Sequence, residues 1–343
     1  MPAERAAAFG PGRVNLIGEH TDYNAGLSLP FAIAAGVTVT ATARPGGEVV
    51  ARALDLGESD RFALADPAPA HGWRAFVRGT VAELAAAGLP VRAAALEIRG
   101  DVPQGAGLSS SAALGVALCL ALTALAGVPD TDRLELARVA SRVENAWVGA
   151  RTGLLDQIAS LLGRDGHALR IDFRTLAVTA VPLDLRGWRL VTVGSGEARA
   201  HAASGYNERR RECAQAAELL GVATLRDATV DAAADLPEPL GRRARHVSEE
   251  SGRVEATIAA LRAGDLCAVG ALLDASHASL RDLYDASTAA VERTVAALRA
   301  AGAAGARMVG GGFGGHVLAL LPPGTAAPEG ALEVCPGPGA RLV

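Results

Sequence analysis

An α+β protein of two domains is what the sequence predicts, and three observations carry that expectation. The chain has 343 residues, and at roughly 150 residues per domain that is about two. Helix-like and strand-like patterns follow one another in irregular order, not as a steady βα repeat. The texture changes past Leu183, where long helical segments take over, with no internal repeat and no flexible linker. The domains are therefore drawn as residues 1–180 and 181–343.

The elements read as follows. Val14 to Ile17 is a short strand, a polar loop runs from Gly18 to Gly26, and Ile33 to Ala43 alternates as a strand. Val91 to Ile98 is another strand candidate. Val102 to Gly107 is a Pro-Gly-rich loop leading through three serines into an apolar helix. The uncharged run Ala112 to Val128 falls short of the length that spans ~30 Å of hydrocarbon, so it reads as a helix buried in a globular domain. Helical patterns cover Asp132 to Trp147 and Gly153 to Leu162, and Ala168 to Phe173 with Ala177 to Leu183 reads as a strand pair. Beyond lie a strand at Leu190 to Val193 and helices at Tyr206 to Leu220, Arg242 to Ala263, Asp265 to Tyr284 and Ser287 to Ala301. The strands Ala306 to Val309 and His316 to Leu321 then flank a glycine run.

Composition narrows the function. Half the residues are hydrophobic but only 3% are aromatic, so the core is built mainly from Ala, Leu and Val. A net charge of -4 and an isoelectric point of about 6.0 argue against a nucleic-acid partner. Charged residues at 20% amid regular apolar segments exclude disorder. The chain has no lysine, all 33 basic residues being arginine. That excludes a P-loop lysine and Schiff-base chemistry, so phosphate handling would fall to backbone amides, Mg²⁺ and arginine. Cys119, Cys213, Cys267 and Cys335 form no C-x-x-C pair and read as reduced thiols of a cytoplasmic protein. Met1 to Ala8 lacks the apolar stretch of a secretory signal. The arginine runs Arg209-Arg210-Arg211 and Arg242-Arg243-Ala244-Arg245-His246 have acidic neighbours and read as solvated helix faces.

Three clusters carry chemistry. In Pro103-Gln104-Gly105-Ala106-Gly107-Leu108-Ser109-Ser110-Ser111-Ala112, glycines let the backbone approach a ligand and serines cap the next helix, whose first amides attract phosphate. Gly12 to Asn24 packs Arg13, Glu19, His20 and Asp22 into a short polar segment, which suits a polyhydroxylated ligand. A metal site at Glu19, His20 and Asp22 is the alternative, without a matching ligand pair. Gly310-Gly311-Gly312-Phe313-Gly314-Gly315 contains G-x-G-x-x-G, but a strand follows where a dinucleotide fold needs a helix. Glu144 and Asp156 lie in or near helices, where a carboxylate can ligate Mg²⁺ or accept a substrate proton.

In content, order and spacing these clusters resemble the galactokinases of the GHMP kinase superfamily. Gly12 to Asn24 resembles their sugar signature, Pro103 to Ala112 the shared nucleotide motif, and Met308 to Gly315 the third motif. The resemblance implies a two-domain GHMP kinase fold. Its N-terminal domain is similar to ribosomal protein S5 domain 2, and its C-terminal domain is ferredoxin-like. It implies transfer of the γ-phosphoryl of ATP to the C1 hydroxyl of α-D-galactose, the first committed step of galactose catabolism. By position, Asp156 and Arg13 match the catalytic pair. Glu19, His20, Asp22, Gly153 and Tyr206 match sugar contacts. Gly105, Ala106, Gly107, Leu108, Ser109, Ser110 and Ser111 match the phosphate cradle, Ser111 and Glu144 the Mg²⁺ ligands, and Trp73 the adenine-side ring. Galactose and ATP are the expected partners, with no nucleic acid, no membrane and no obligate protein partner, consistent with a monomer. Leu155, Gly115 and His316 depart from the family's usual residues. Two rivals stand beside this reading: a kinase of galactosamine derivatives or arabinose, and a silent sugar-binding regulator. The intact serine turn and Asp156 weigh against the second.

Overall fold

The computed structural model describes residues 3–102, 107–150, 152–197 and 202–343. In chain order it contains strands β1 (Arg5–Asn15), β2 (Leu27–Ser28), β3 (Pro30–Ala43), β4 (Glu48–Ala53) and β5 (Glu58–Ala63), then helix α1 (Trp73–Ala86) and β6 (Ala94–Gly100). Helices α2 (Ser110–Leu125), α3 (Arg133–Arg142) and α4 (Leu155–Leu162) precede β7 (His167–Asp172), β8 (Ala177–Pro182) and β9 (Arg189–Gly194). Five helices follow: α5 (Ala202–Leu220), α6 (Val230–Ala234), α7 (Leu240–Ala263), α8 (Leu266–Asp282) and α9 (Ala289–Ala300). The chain then runs through β10 (Gly305–Met308), β11 (His316–Leu321), β12 (Leu332–Glu333) and β13 (Arg341–Leu342).

Three sheets result, ordered β13-β1-β3-β6-β4-β5, β2-β7-β8 and β10-β11-β9-β12. Strand β1 starts at Arg5, well before the expected Val14, and pairs antiparallel with β3 from Arg5 opposite Thr42 to Asn15 opposite Pro30. Its alanines and Gly-Pro-Gly stretch lack strand propensity, so pairing with β3 makes them extended. Pro11, which has no N–H to donate, sits where the register breaks. Segments β4, β5 and α1 had no counterpart in the sequence reading.

Helix α2 accounts for the uncharged run. Every residue from Ala112 to Leu125 is buried, because α2 is enclosed by β1, β3, α1, α3 and α4. A helix covered on all sides needs no polar face. Among the described residues, no helix is long and apolar enough to cross a membrane. Where one helix was expected from Asp132 to Trp147, α3 stops at Arg142 and a wider π-type turn covers Val143–Val148. Such turns re-aim side chains, and this one carries Glu144.

The β10-β11-β9-β12 sheet packs against helices of the C-terminal half around Ala216, Leu280 and Val317. A second core joins Leu16 and Ile17 to Val254, Ile258 and Leu318, so the polar loop after β1 is seated on residues from both halves. The expected solvated arginine faces hold at Arg211 and Arg245, which are exposed, and are corrected at three neighbours. Arg209, Arg243 and His246 are buried. Arg209 and Arg243 both pair with Glu212 at 2.7 Å, and Arg243 also meets Asp285 at 2.7 Å. Arg209 Nε donates to the Tyr284 carbonyl at 2.7 Å. These bonds tie α5 to α7 and to the end of α8, and so position Tyr206.

Candidate active site

The end of β1, the serine turn before α2, the start of α4 and the glycines after β10 enclose a cleft of about 350 Å³. Of the residues singled out in the sequence, Arg13, Glu19, His20, Asp22, Gly107, Leu108, Ser109, Ser110, Ser111, Gly153, Asp156 and Tyr206 line it. Gly105 and Ala106 lie outside the described residues. Trp73 is not among the lining residues; it opens α1, donates its indole N–H to Glu58 at 2.7 Å and carries Arg74 5.0 Å from its ring centroid.

Arg13 and Asp156 form the centre. Arg13 Nε donates to Asp156 Oδ1 at 2.6 Å and Nη2 to Oδ2 at 2.7 Å, a two-pronged ion pair across 143 residues of sequence. Arg13 Nη1 also donates to the Gly107 carbonyl at 2.7 Å, and its backbone N–H to Leu108 O at 3.0 Å. One guanidinium therefore fixes the carboxylate relative to the serine turn. Gly12 makes this approach possible: a Cβ there would come within 2.5 Å of the Leu108 oxygen. Ser109 has left-handed φ of 58° at the N-cap of α2, yet its hydroxyl caps nothing and instead donates to Asp156 Oδ2. The expectation that the serines cap α2 is corrected accordingly. With no side-chain cap, the amides of the first turn suit an anion.

Beside this pair, the buried Glu144 accepts hydrogen bonds from the Ser111 hydroxyl, Thr152 Oγ1 at 2.9 Å and Gln157 Nε2 at 2.7 Å. Burial first, and then the charge of Asp156, raise its pKa above the usual carboxylate range, against these three hydrogen bonds. Hard oxygen donors beside a crowded negative charge suit a hard divalent cation such as Mg²⁺, which commonly takes one or two carboxylates plus phosphate oxygens. Among the described residues no cluster of three or more His, Cys, Asp and Glu forms a closed metal cage, the one weighed at Glu19, His20 and Asp22 included.

The remaining lining comes from the loop after β1. Burial works against the charge on Glu19, but Arg307 and then Arg13 prevail and hold its carboxyl below the usual range. His20, with left-handed φ of 60°, bonds through Nδ1 to the Tyr23 hydroxyl at 2.8 Å. Burial chiefly lowers its pKa to about 3, so the ring is neutral at physiological pH. Asp22 has its pKa raised to about 7, by burial first and by Asp156 second. Its carboxylate fills the space where a Cβ at position 153 would stand, so Gly153 is required there. Tyr206 closes the side, its ring 5.2 Å from that of His20.

Several contributors escaped the sequence reading. Asn207 lines the cleft, joined there by Gly310 to Gly312 of the glycine run that the sequence had singled out. Behind it, the Tyr23 hydroxyl meets that of Tyr284 at 2.9 Å, which in turn meets Cys213 Sγ at 2.9 Å. The Gly310 N–H donates to Glu19 Oε1 at 2.8 Å. The third glycine cluster thus brings its backbone against the loop after β1.

Comparisons with known proteins identify the family. Residues 2–43 match the galactokinase galactose-binding signature, residues 75–164 the GHMP kinases N terminal domain and residues 257–336 the GHMP kinases C terminal domain. The chain is 44% identical over 319 residues to a galactokinase of Mycobacterium tuberculosis, covering 91% of this chain and 88% of that one. The crystal structure of Lactococcus lactis galactokinase complexed with galactose superposes with a TM-score of 0.92 at 32% identity, over 98% of this chain and 95% of that one. A mevalonate kinase of Methanococcus jannaschii, at 18% identity and a TM-score of 0.66 over 94% of this chain and 91% of that one, shares the fold.

Proposed function

The chain belongs to the galactokinase family of the GHMP kinases, and from that membership we propose that it transfers the γ-phosphoryl group of ATP to the C1 hydroxyl of α-D-galactose. The observation that carries the mechanism is the Asp156 carboxylate, held at the cleft by Arg13 and Ser109. A carboxylate offers about four acceptor positions, and these donors take three. One acceptor position on Oδ1 remains for the sugar hydroxyl.

Asp156 orients the C1 hydroxyl and receives its proton as the C1 oxygen bonds to phosphorus and the bond to the ADP oxygen breaks. Arg13 keeps the carboxylate aimed and, through Gly107, keeps it in register with the serine turn. Glu19, His20, Asp22, Gly153 and Tyr206 surround the sugar. Gly105 to Ser111 cradle the phosphates with backbone amides, so no lysine is needed. Ser111 and Glu144 would hold Mg²⁺, which when bound neutralises phosphate charge. Trp73 enters as the adenine-side ring on the family resemblance. A functional division near residue 180, a cytoplasmic setting and action as a monomer complete the reading.

The test is Asp156→Asn. Turnover measured by coupled ADP release should fall at least about 100-fold, with galactose binding still measurable by calorimetry; near-normal turnover removes Asp156 from the mechanism. A panel of galactose, galactosamine and arabinose in the same assay fixes the sugar, and turnover of another sugar without galactose would refute the substrate.

A further inference from the structure

Behind the sugar loop lies a buried charged cluster that the cleft-facing residues do not explain. Arg307 on β10 is fully buried. Its Nη1 donates to the carbonyls of Asn15 and Leu16, at 2.9 Å each, and its Nη2 stands 3.0 Å from Glu19 Oε1. All three partners belong to one short segment, about 290 residues away in sequence. From α7, Glu250 accepts the Gly18 N–H at 3.1 Å, and His246 Nε2 lies 3.2 Å from the Glu19 carbonyl oxygen.

A buried guanidinium is strongly disfavoured unless its partners are in place, so those partners indicate its task. A brace between two halves of the fold needs only the two carbonyl bonds. The contact to Glu19 does something more. The Gly310 N–H donates to Oε1, and the Arg307 charge lies against the same oxygen without a hydrogen bond from Nη2, which turns Oε2 toward a ligand hydroxyl. Among the described residues, Arg307 is the only cation within ion-pair distance of Glu19.

We propose that Arg307 is a positioning residue for sugar recognition, fixing Glu19 in one orientation with Oε2 presented to a sugar hydroxyl. The inference rests on the reading of the cleft as a galactose site. Charged and titratable groups also face Glu19 and Arg307 from elsewhere. They are Arg13 on β1, His20 and Asp22 on the loop, His246 and Glu250 on α7, and His277 on α8; behind them Asp156 on α4 faces Arg13 and Asp22, and Arg253 on α7 faces His246 and Glu250.

Arg307→Met and Arg307→Lys are compared with the wild-type chain for kcat and for both KM values between about pH 5.5 and 9. The Glu19 side-chain carboxyl is followed by carbon NMR, its signal assigned by loss in Glu19→Gln. In Arg307→Met the KM for galactose should rise roughly 10- to 100-fold while that for ATP stays within about twofold. Arg307→Lys should recover part of the loss, and the Glu19 carboxyl should titrate at higher pH than in the wild type. Arg307→Met added to Glu19→Gln should cost no further galactose affinity. A folded Arg307→Met with unchanged galactose KM, with both KM values raised alike, or with the Glu19 titration unmoved overturns the proposal. If Arg307→Met does not fold, Arg307→Lys is read by the same criteria. Should the wild-type chain turn over no galactose, the substrate reading fails, and the Glu19 titration still decides whether Arg307 governs it.

Discussion

Galactose binding should release a proton near neutral pH, and Asp22 is its source. Burial, and secondarily Asp156, raise the Asp22 pKa to about 7 in the free protein. Roughly a tenth of the molecules then carry the carboxylate at pH 6 and roughly nine tenths at pH 8. Under the proposed reading the ionised form accepts from sugar hydroxyls, so apparent affinity scales with that fraction. The dissociation constant should fall about tenfold between pH 6 and pH 8 and then level off. Calorimetry in two buffers of different ionisation enthalpy should find about 0.9 proton released at pH 6 and about 0.1 at pH 8. His20, held at about 3 chiefly by burial, stays neutral across this window and contributes none. Asp22→Asn should flatten the profile. Affinity independent of pH in the wild type, or a slope that persists in Asp22→Asn, would refute the reasoning. The free protein carries the opposite sign: a folded pKa above the unfolded one means that Asp22 opposes folding increasingly as pH rises from about 4 to about 7.

Other variants test neighbouring parts. Glu144→Ala should raise the Mg²⁺ concentration giving half-maximal turnover, and an unchanged metal titration would remove Glu144 from the ligand set. Arg243→Met removes one of the two arginine partners of Glu212 and of Asp285, Arg209 and Arg242 remaining; it should lower stability by roughly 2 kcal/mol in urea unfolding, and a loss near zero would remove Arg243 as a tie between α5 and α7.

What the sequence disclosed, and what it hid, follows from how far apart the partners lie. The sugar loop, the serine turn and the glycine run were legible because each concentrates unusual residues within about a dozen positions. Glu144 and Asp156 were ordinary helix acids by spacing, and the family resemblance was what told which of the possible carboxylate roles each takes. Their surroundings come from Thr152 and Gln157 for one, and from Arg13, 143 residues distant, for the other. Arg243 looked solvated because acids lie close by in sequence, whereas the acids it actually meets are Glu212 and Asp285. Arg307 sits in a short strand whose four residues are all buried, and nothing in its neighbours announces a charged partner. The β4–β5 hairpin was missed because Glu48, Arg52, Glu58, Asp60 and Arg61 interrupt its apolar residues and leave no regular alternation. Ser109 was placed correctly at the helix start but given the wrong bond, since a cap and a bond to a distant carboxylate have the same sequence signature.

The fit of Asp22 against Gly153 couples two positions that are distant in the chain. Even a methyl group at 153 would push against the carboxylate, and a smaller residue at 22 would leave a hollow in the cleft wall. Neither site can drift alone without spoiling the pocket. Redesign for bulkier hexoses is therefore better begun elsewhere on the wall, at Tyr206 or Asn207, than at this interlocked pair.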